Sequence, residues 1–290
     1  MFQFLFILLS LVLVQACTRS SIPAPDRVEP PILEEADQDL PPVLPSAARE
    51  YAVVWVPERE QLVVRTPAGI AGSAVGQLAY DEIGIQLTGN ASRLGSSTWV
   101  EVELSQVSSG WVNRWNLTEL VRSDDFCQDT RIVPLLERAV QAIQVRDGDA
   151  LAAVLHPQRG LVIRHDWWNP DVVFSIEATR RIFSDRQDYA WGEMSGGGFP
   201  QVGSFRDLIL PALDEVLLGA PQVRCDELLT GLTTREMLWP PEFHNLRFYA
   251  FYRPAAQDGN QYHWRTWTLG IEYVDGEPYL ALLVQFRGDI

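Results

Sequence analysis

The sequence predicts a small all-β unit followed by an α+β domain with an antiparallel sheet, carried behind an apolar leader and a solvated linker. Three observations predict it. Short apolar segments of period two, separated by turn residues, run through residues 51–117, the pattern of a small barrel or meander. A helical stripe over residues 130–146 then opens a stretch in which helices come first. Three long strand-like runs close the chain, at residues 246–253, 264–274 and 279–286.

A length of 290 residues allows about two domains, and a 47% hydrophobic content with ten tryptophans is that of globular cores. The net charge of −15 repels phosphate backbones, so nucleic acid is excluded as a partner. Every basic residue is arginine; the chain has no lysine. Walker A, Schiff-base and lysine general-base chemistries each need an amine that a guanidinium does not replace, and all three are excluded.

Residues 2–14 are apolar except for Gln3 and Ser10. Such a run is too short to span a bilayer and fits a signal h-region, although no Lys or Arg precedes it. Val14-Gln15-Ala16-Cys17 resembles a bacterial lipobox. The resemblance implies that residues 1–17 are a lipoprotein signal ending at Cys17, the lipid-attachment residue. Residues 18–50 carry seven prolines and many acids with no apolar period, which leaves too little to bury against the ordering entropy. Prolines keep such a linker extended. The expectation is an exported protein held at the extracytoplasmic face of a cell membrane through its lipid.

Within residues 51–122, strands are expected at 51–56, 62–65, 75–87, 99–104 and 110–112. Leu62-Val63-Val64-Arg65, Val75-Gly76-Gln77-Leu78, Leu87-Thr88-Gly89-Asn90, Ser97-Thr98-Trp99-Val100 and Gly110-Trp111-Val112-Asn113 follow one another in order. This series resembles the bacterial SH3 (SH3b) family of exported and envelope proteins, over a quarter of the chain. The resemblance implies an SH3-like barrel, with peptidoglycan, another envelope protein or the neighbouring domain as its contact. Val63 stands where the family often has Asn, and Thr66-Pro67-Ala68-Gly69 replaces its usual turn. Trp99 and Trp111 are expected to fill the barrel.

In residues 123–290, Ile132, Leu135, Leu136, Ala139, Val140 and Ile143 make the helical stripe. Asp147-Gly148-Asp149 ends that helix and caps a short one over residues 150–155, stopped by His156-Pro157. Strands are expected at 161–164, 172–174 and 189–194, with a helix capped by Ser175 and running to Phe183. Ser204-Phe205-Arg206-Asp207 has the form of a capping box before an apolar face ending at Gly219, and Pro211 should kink that helix. Asp275-Gly276 supplies a hairpin turn. The final run is apolar on both faces, so it belongs in the middle of its sheet. Helices ahead of a long sheet suggest an NTF2-like cone as a fold-level analogy.

Chemistry-bearing residues concentrate in LHPQRGLVIRHDWWN, residues 155–169. One reading makes His156, His165, Asp166, Trp191 and Glu193 a pocket; the other puts the polar residues on an exposed strand edge. His156, His165, His244 and His263 show no metal-ligand spacing, and no metal or other cofactor is expected. Ser195-Gly196-Gly197-Gly198 lacks the strand-loop-helix context of a phosphate loop. Cys127, in DFCQD, lacks the Ser-Gly that follows the nucleophile in NlpC/P60 peptidases. With Cys17 lipidated, Cys127 and Cys225 form an even pair that export would oxidise. Arg287-Gly288-Asp289 spells an adhesion tripeptide by chance. Two functions remain: a non-enzymatic envelope protein whose C-terminal domain binds a ligand or protein, or an exported hydrolase or isomerase with its site in a cavity there.

Overall fold

The computed structural model describes residues 49–105, 109–194, 197–234, 236–256 and 259–288; the leader, Cys17, residues 18–48, Ser195 and Asp289 lie outside them. Alternating apolar residues build a seven-stranded sheet from β1 (Glu50–Val53), β2 (Gln61–Thr66), β3 (Ser73–Ala79), β4 (Ile83–Leu94), β5 (Ser97–Glu103), β6 (Ser109–Asn113) and β7 (Leu117–Glu119). Its antiparallel order is β3-β2-β6-β5-β4-β1-β7. Val64, Val100, Val102, Val112 and Leu117 form its core. Trp99 is buried, while Trp111 is half-buried beside Arg65.

Two sequence expectations are corrected here. The run at residues 75–87 is two strands, because the chain turns at Tyr80-Asp81-Glu82, where the Glu82 N–H returns to the Ala79 carbonyl at 3.1 Å. The sheet also stops short of a closed barrel, with β3 and β7 at its two ends.

The second half begins with α1 (Ser123–Gln128), α2 (Ile132–Val145) and α3 (Gly148–Ala152). β8 (Leu161–Arg164), β9 (Val172–Phe174) and α4 (Ile176–Arg180) follow, then the hairpin β10 (Tyr189–Glu193) and β11 (Pro200–Gly203). The chain finishes with α5 (Leu210–Leu217), β12 (Gln222–Cys225), β13 (Arg247–Arg253), β14 (Arg265–Val274) and β15 (Glu277–Arg287). The stripe of α2 lies inward, with Ile132, Leu135, Ala139 and Ile143 all buried. Pro211 does not kink a long helix: it has no N–H to return to Asp207, and a π turn over Phe205–Ile209 precedes α5. Ser204 caps that turn by accepting the Asp207 N–H at 3.1 Å.

The six-stranded sheet runs β12-β13-β14-β15-β8-β9. It is antiparallel except where β8 lies parallel to β15, with Val162 opposite Leu282 and Arg164 opposite Val284. The expected antiparallel sheet thus carries one parallel pair, which makes β15 central, as the apolar residues on both of its faces predict. Leu280 and Leu283 face the helices, whereas Leu282, Val284 and Phe286 face a second cluster holding Val54, Phe243 and Trp264. Asp275 and Gly276 both take positive φ in the β14–β15 turn, at 54° and 78°, as a two-residue hairpin turn of type I′ requires. Cys127 of α1 and Cys225 of β12 are joined in a disulfide with Cα atoms 5.8 Å apart.

Residues 49–288 belong to one compact unit, and polar contacts stitch the two sheets together. The Glu119 carboxylate accepts the Asp275 and Gly276 N–H groups at 2.6 and 3.0 Å. Asn245 donates to the Val53 carbonyl at 2.8 Å, and Trp55 N–H to the Glu242 carbonyl at 2.8 Å. Arg159 sits at the centre of this seam. Its guanidinium lies 4.7 Å from the Trp55 ring centroid and 4.4 Å from that of Trp115. It donates to both oxygens of fully buried Glu272 at 2.7 and 2.9 Å, a bidentate pair of the stronger, charge-assisted kind.

Candidate functional site

A cavity of about 500 Å³ opens where β8 and β15 end side by side. Because the two strands are parallel, both chain ends arrive at the same edge. His165 leaves β8 next to Gln285, and Arg287 follows two residues along β15 on the same face. Arg265 lies directly across from Arg287 on β14. The β10–β11 hairpin brings Gln201, and α5 closes the far side with Pro211 and Ala212.

The floor is polar and buried. Gln285, His165 and Gln201 are 0%, 3% and 7% exposed. Nδ1 of His165, Nε2 of Gln201 and both polar atoms of the Gln285 amide have no hydrogen-bond partner among the described residues. A buried polar atom without a partner costs about 1–3 kcal/mol, and native proteins carry few of them. The mouth is apolar, with Met194 and Val202 exposed on the hairpin.

The charges at the cavity are paired. Arg287 pairs with buried Asp166. Arg265 meets Glu215 at 3.0 Å, and the same carboxylate also serves Arg253. Burial pushes His165 down to about 3, and the Arg287 and Arg265 guanidinium groups push in the same direction. Its imidazole is therefore neutral at pH 7, suited to hydrogen bonding and poorly suited to donating a proton.

The polar loop after β8 is built to hold this floor. Asp166 takes a φ of 83°, and its carbonyl accepts the Asn169 N–H at 2.9 Å. The Asn169 side chain donates to the His165 and Glu193 carbonyls and accepts the Glu193 N–H at 2.9 Å. Gly192 makes that contact possible: a Cβ there would strike the Asn169 side chain, and its φ is 95°.

Of the residues singled out in the sequence, only His165 lines the cavity, with Asp166 behind Arg287. Trp191 is fully buried in the helical core, donating to the Gly203 carbonyl at 2.9 Å and stacking near Phe174. Glu193 is exposed, and its backbone rather than its carboxylate holds Asn169. His156 lies in the seam between the sheets. Its Nδ1 accepts the Gln158 and Arg159 N–H groups, which leaves the proton on Nε2, 3.8 Å from Glu272. Burial pushes His156 down to about 4 against the opposing pull of Glu272. Burial alone would raise the Glu272 carboxyl, but Arg159 and His156 hold it below the usual range. The exposed-edge reading of residues 155–169 fails, since Arg159, Arg164, His165 and Asp166 are all buried.

Sequence reasoning missed Gln285, Gln201, Arg265 and Arg287 as a group. One signal was present: Gln285 is the single amide in an otherwise apolar run that covers both faces of its strand. Among the described residues, no group of three or more His, Cys, Asp or Glu is placed to hold a metal ion. Comparison of the chain with protein-family models, with curated proteins and with solved structures finds no match.

Proposed function

We propose that this chain is an exported, lipid-anchored envelope protein whose C-terminal half binds a small polar ligand without transforming it. The observation that carries the binding reading is the Gln285 amide, fully buried at the floor of a cavity with donor and acceptor both unused. A bound molecule supplies the partners that the protein does not give those atoms, whose burial unpaired is costly. The cavity's titratable groups favour binding over hydrolase or isomerase chemistry: His165 is held neutral, and Glu215 is engaged by two arginines.

The SH3b reading of residues 51–122 rests on the order of its sequence landmarks and on its short antiparallel strands. Its contact with the other half, centred on Arg159 between Trp55 and Trp115, favours packing on the neighbouring sheet over free binding to peptidoglycan. Helices on one face of a six-stranded sheet with a central last strand support the NTF2-like analogy.

The tether and the cavity are tested separately. Full-length protein should enter the detergent phase on phase partitioning, and Cys17→Ser should move it to the aqueous phase. Unchanged partitioning of the variant would contradict the lipid anchor. For the cavity, a library of small polar fragments should shift the side-chain amide signals of Gln285 and Gln201 in ¹H–¹⁵N spectra. Fragments that bind only elsewhere, leaving both amides unmoved, would contradict the binding site.

A further inference from the structure

We propose that the cavity recognises a carboxylate placed beside an amide, the chemistry of an acylated amino acid or of the C-terminal end of a short peptide. This inference rests on the binding reading above and adds the ligand class.

The arginines point to the carboxylate. At the cavity the Arg265 guanidinium meets the Glu215 carboxylate at 3.0 Å, and the Arg287 guanidinium pairs with Asp166. A guanidinium carries five donors in a planar fork, so a single carboxylate contact does not exhaust Arg265 or Arg287. Their remaining N–H groups, side by side on β14 and β15, form a fork that a planar carboxylate matches.

The glutamines point to the amide. Gln285 offers an acceptor to a ligand N–H, while Gln285 and Gln201 together offer two donors to its carbonyl oxygens. An amide uses both kinds of group; a simple fatty acid or a sugar phosphate would leave Gln285 Oε1 or the apolar rim unused. Gln285 and Arg287 lie two residues apart on one face of β15, roughly 7 Å along the strand. That spacing suits a carboxylate and the amide preceding it. Leu208, Val202 and Pro211 then offer apolar contact to the ligand's side chain.

The test is calorimetric titration of the purified chain with four probes. N-acetyl-leucine should bind, and N-acetyl-leucinamide (no carboxylate) and 4-methylpentanoate (no amide) should each bind about tenfold or more weakly. Acetyl-Ala-Ala-Leu separates the two sources: equal or tighter binding assigns a peptide end, weaker binding a free acyl amino acid. Because Arg287 pairs with buried Asp166, the charge is removed at half-buried Arg265 instead, with circular dichroism as the check on folding. Folded Arg265→Gln should lose most of the preference for N-acetyl-leucine over its carboxamide. Gln285→Leu should make N-acetyl-leucine and 4-methylpentanoate bind alike.

The ligand class is overturned if the carboxamide binds as well as the acid, or if no probe binds. In either case the fragment experiment on the Gln285 and Gln201 amides still decides the cavity reading independently.

Discussion

Arg159→Ala is expected to lower folding stability by about 3–5 kcal/mol, measured by urea unfolding with tryptophan fluorescence and circular dichroism. Arg159 is the only cation hydrogen-bonded to Glu272 among the described residues, through both carboxylate oxygens. Glu272 is 1% exposed, so removing Arg159 strands a charge that water does not reach. The same truncation empties the slot between the Trp55 and Trp115 rings and removes a donor from the Trp115 carbonyl at 3.0 Å. Arg159→Met with Glu272→Leu separates these losses. Replacing both members of a buried pair by apolar residues is often neutral, so the double variant should recover most of the stability. A single-variant loss below about 1 kcal/mol would contradict the account of the seam, since that is the range of exposed pairs.

Loss of the Cys127–Cys225 bridge should have an effect of similar size. The two cysteines are 98 residues apart in sequence, and closing a loop of that length stabilises by up to ~4.7 kcal/mol in the chain-entropy treatment. The bridge fastens β12, a four-residue edge strand whose first three residues are exposed, to helix α1. With little apolar burial of its own, β12 depends on that fastening. Cys127→Ser with Cys225→Ser should reduce the urea midpoint strongly, and hydrogen exchange should show β12 opening first. Protein carrying Cys17→Ser, freshly purified without reductant, should give little thiol labelling until it is reduced. Two freely reactive thiols at that stage would rule the bridge out.

What could be read from the sequence was whatever short-range pattern determines. The stripe Ile132-Leu135-Leu136-Ala139-Ile143 defined α2, the apolar runs marked β8, β9 and the last three strands, and Asp275-Gly276 marked their turn. The π turn before Pro211 and the turn at Tyr80-Asp81-Glu82 were hidden, since neither has a Gly to announce it. β12 was hidden too, because Gln222-Val223-Arg224-Cys225 is short and mostly polar. The larger gap is the site itself. Residues 155–169 look like an exposed edge because Arg, His and Asp follow a short apolar run. Arg164, His165 and Asp166 are buried because β8 pairs in parallel with a strand about 120 residues later in the chain, a contact no local period encodes. That pairing alone brings His165 beside Gln285 and Arg287.

One urea-unfolding comparison decides directly whether Gln285 is kept for a ligand or for the fold. Leucine carries no polar atom to bury, and the wild-type amide lies at 0% exposure with both polar atoms unpartnered. Gln285→Leu should therefore raise the unfolding free energy of the ligand-free protein by about 1–3 kcal/mol, the gain expected when a side chain retained for function is replaced by one suited to the core. A loss of 1 kcal/mol or more on the same substitution would show that the amide serves the fold, and would contradict the assignment of this cavity as the binding site.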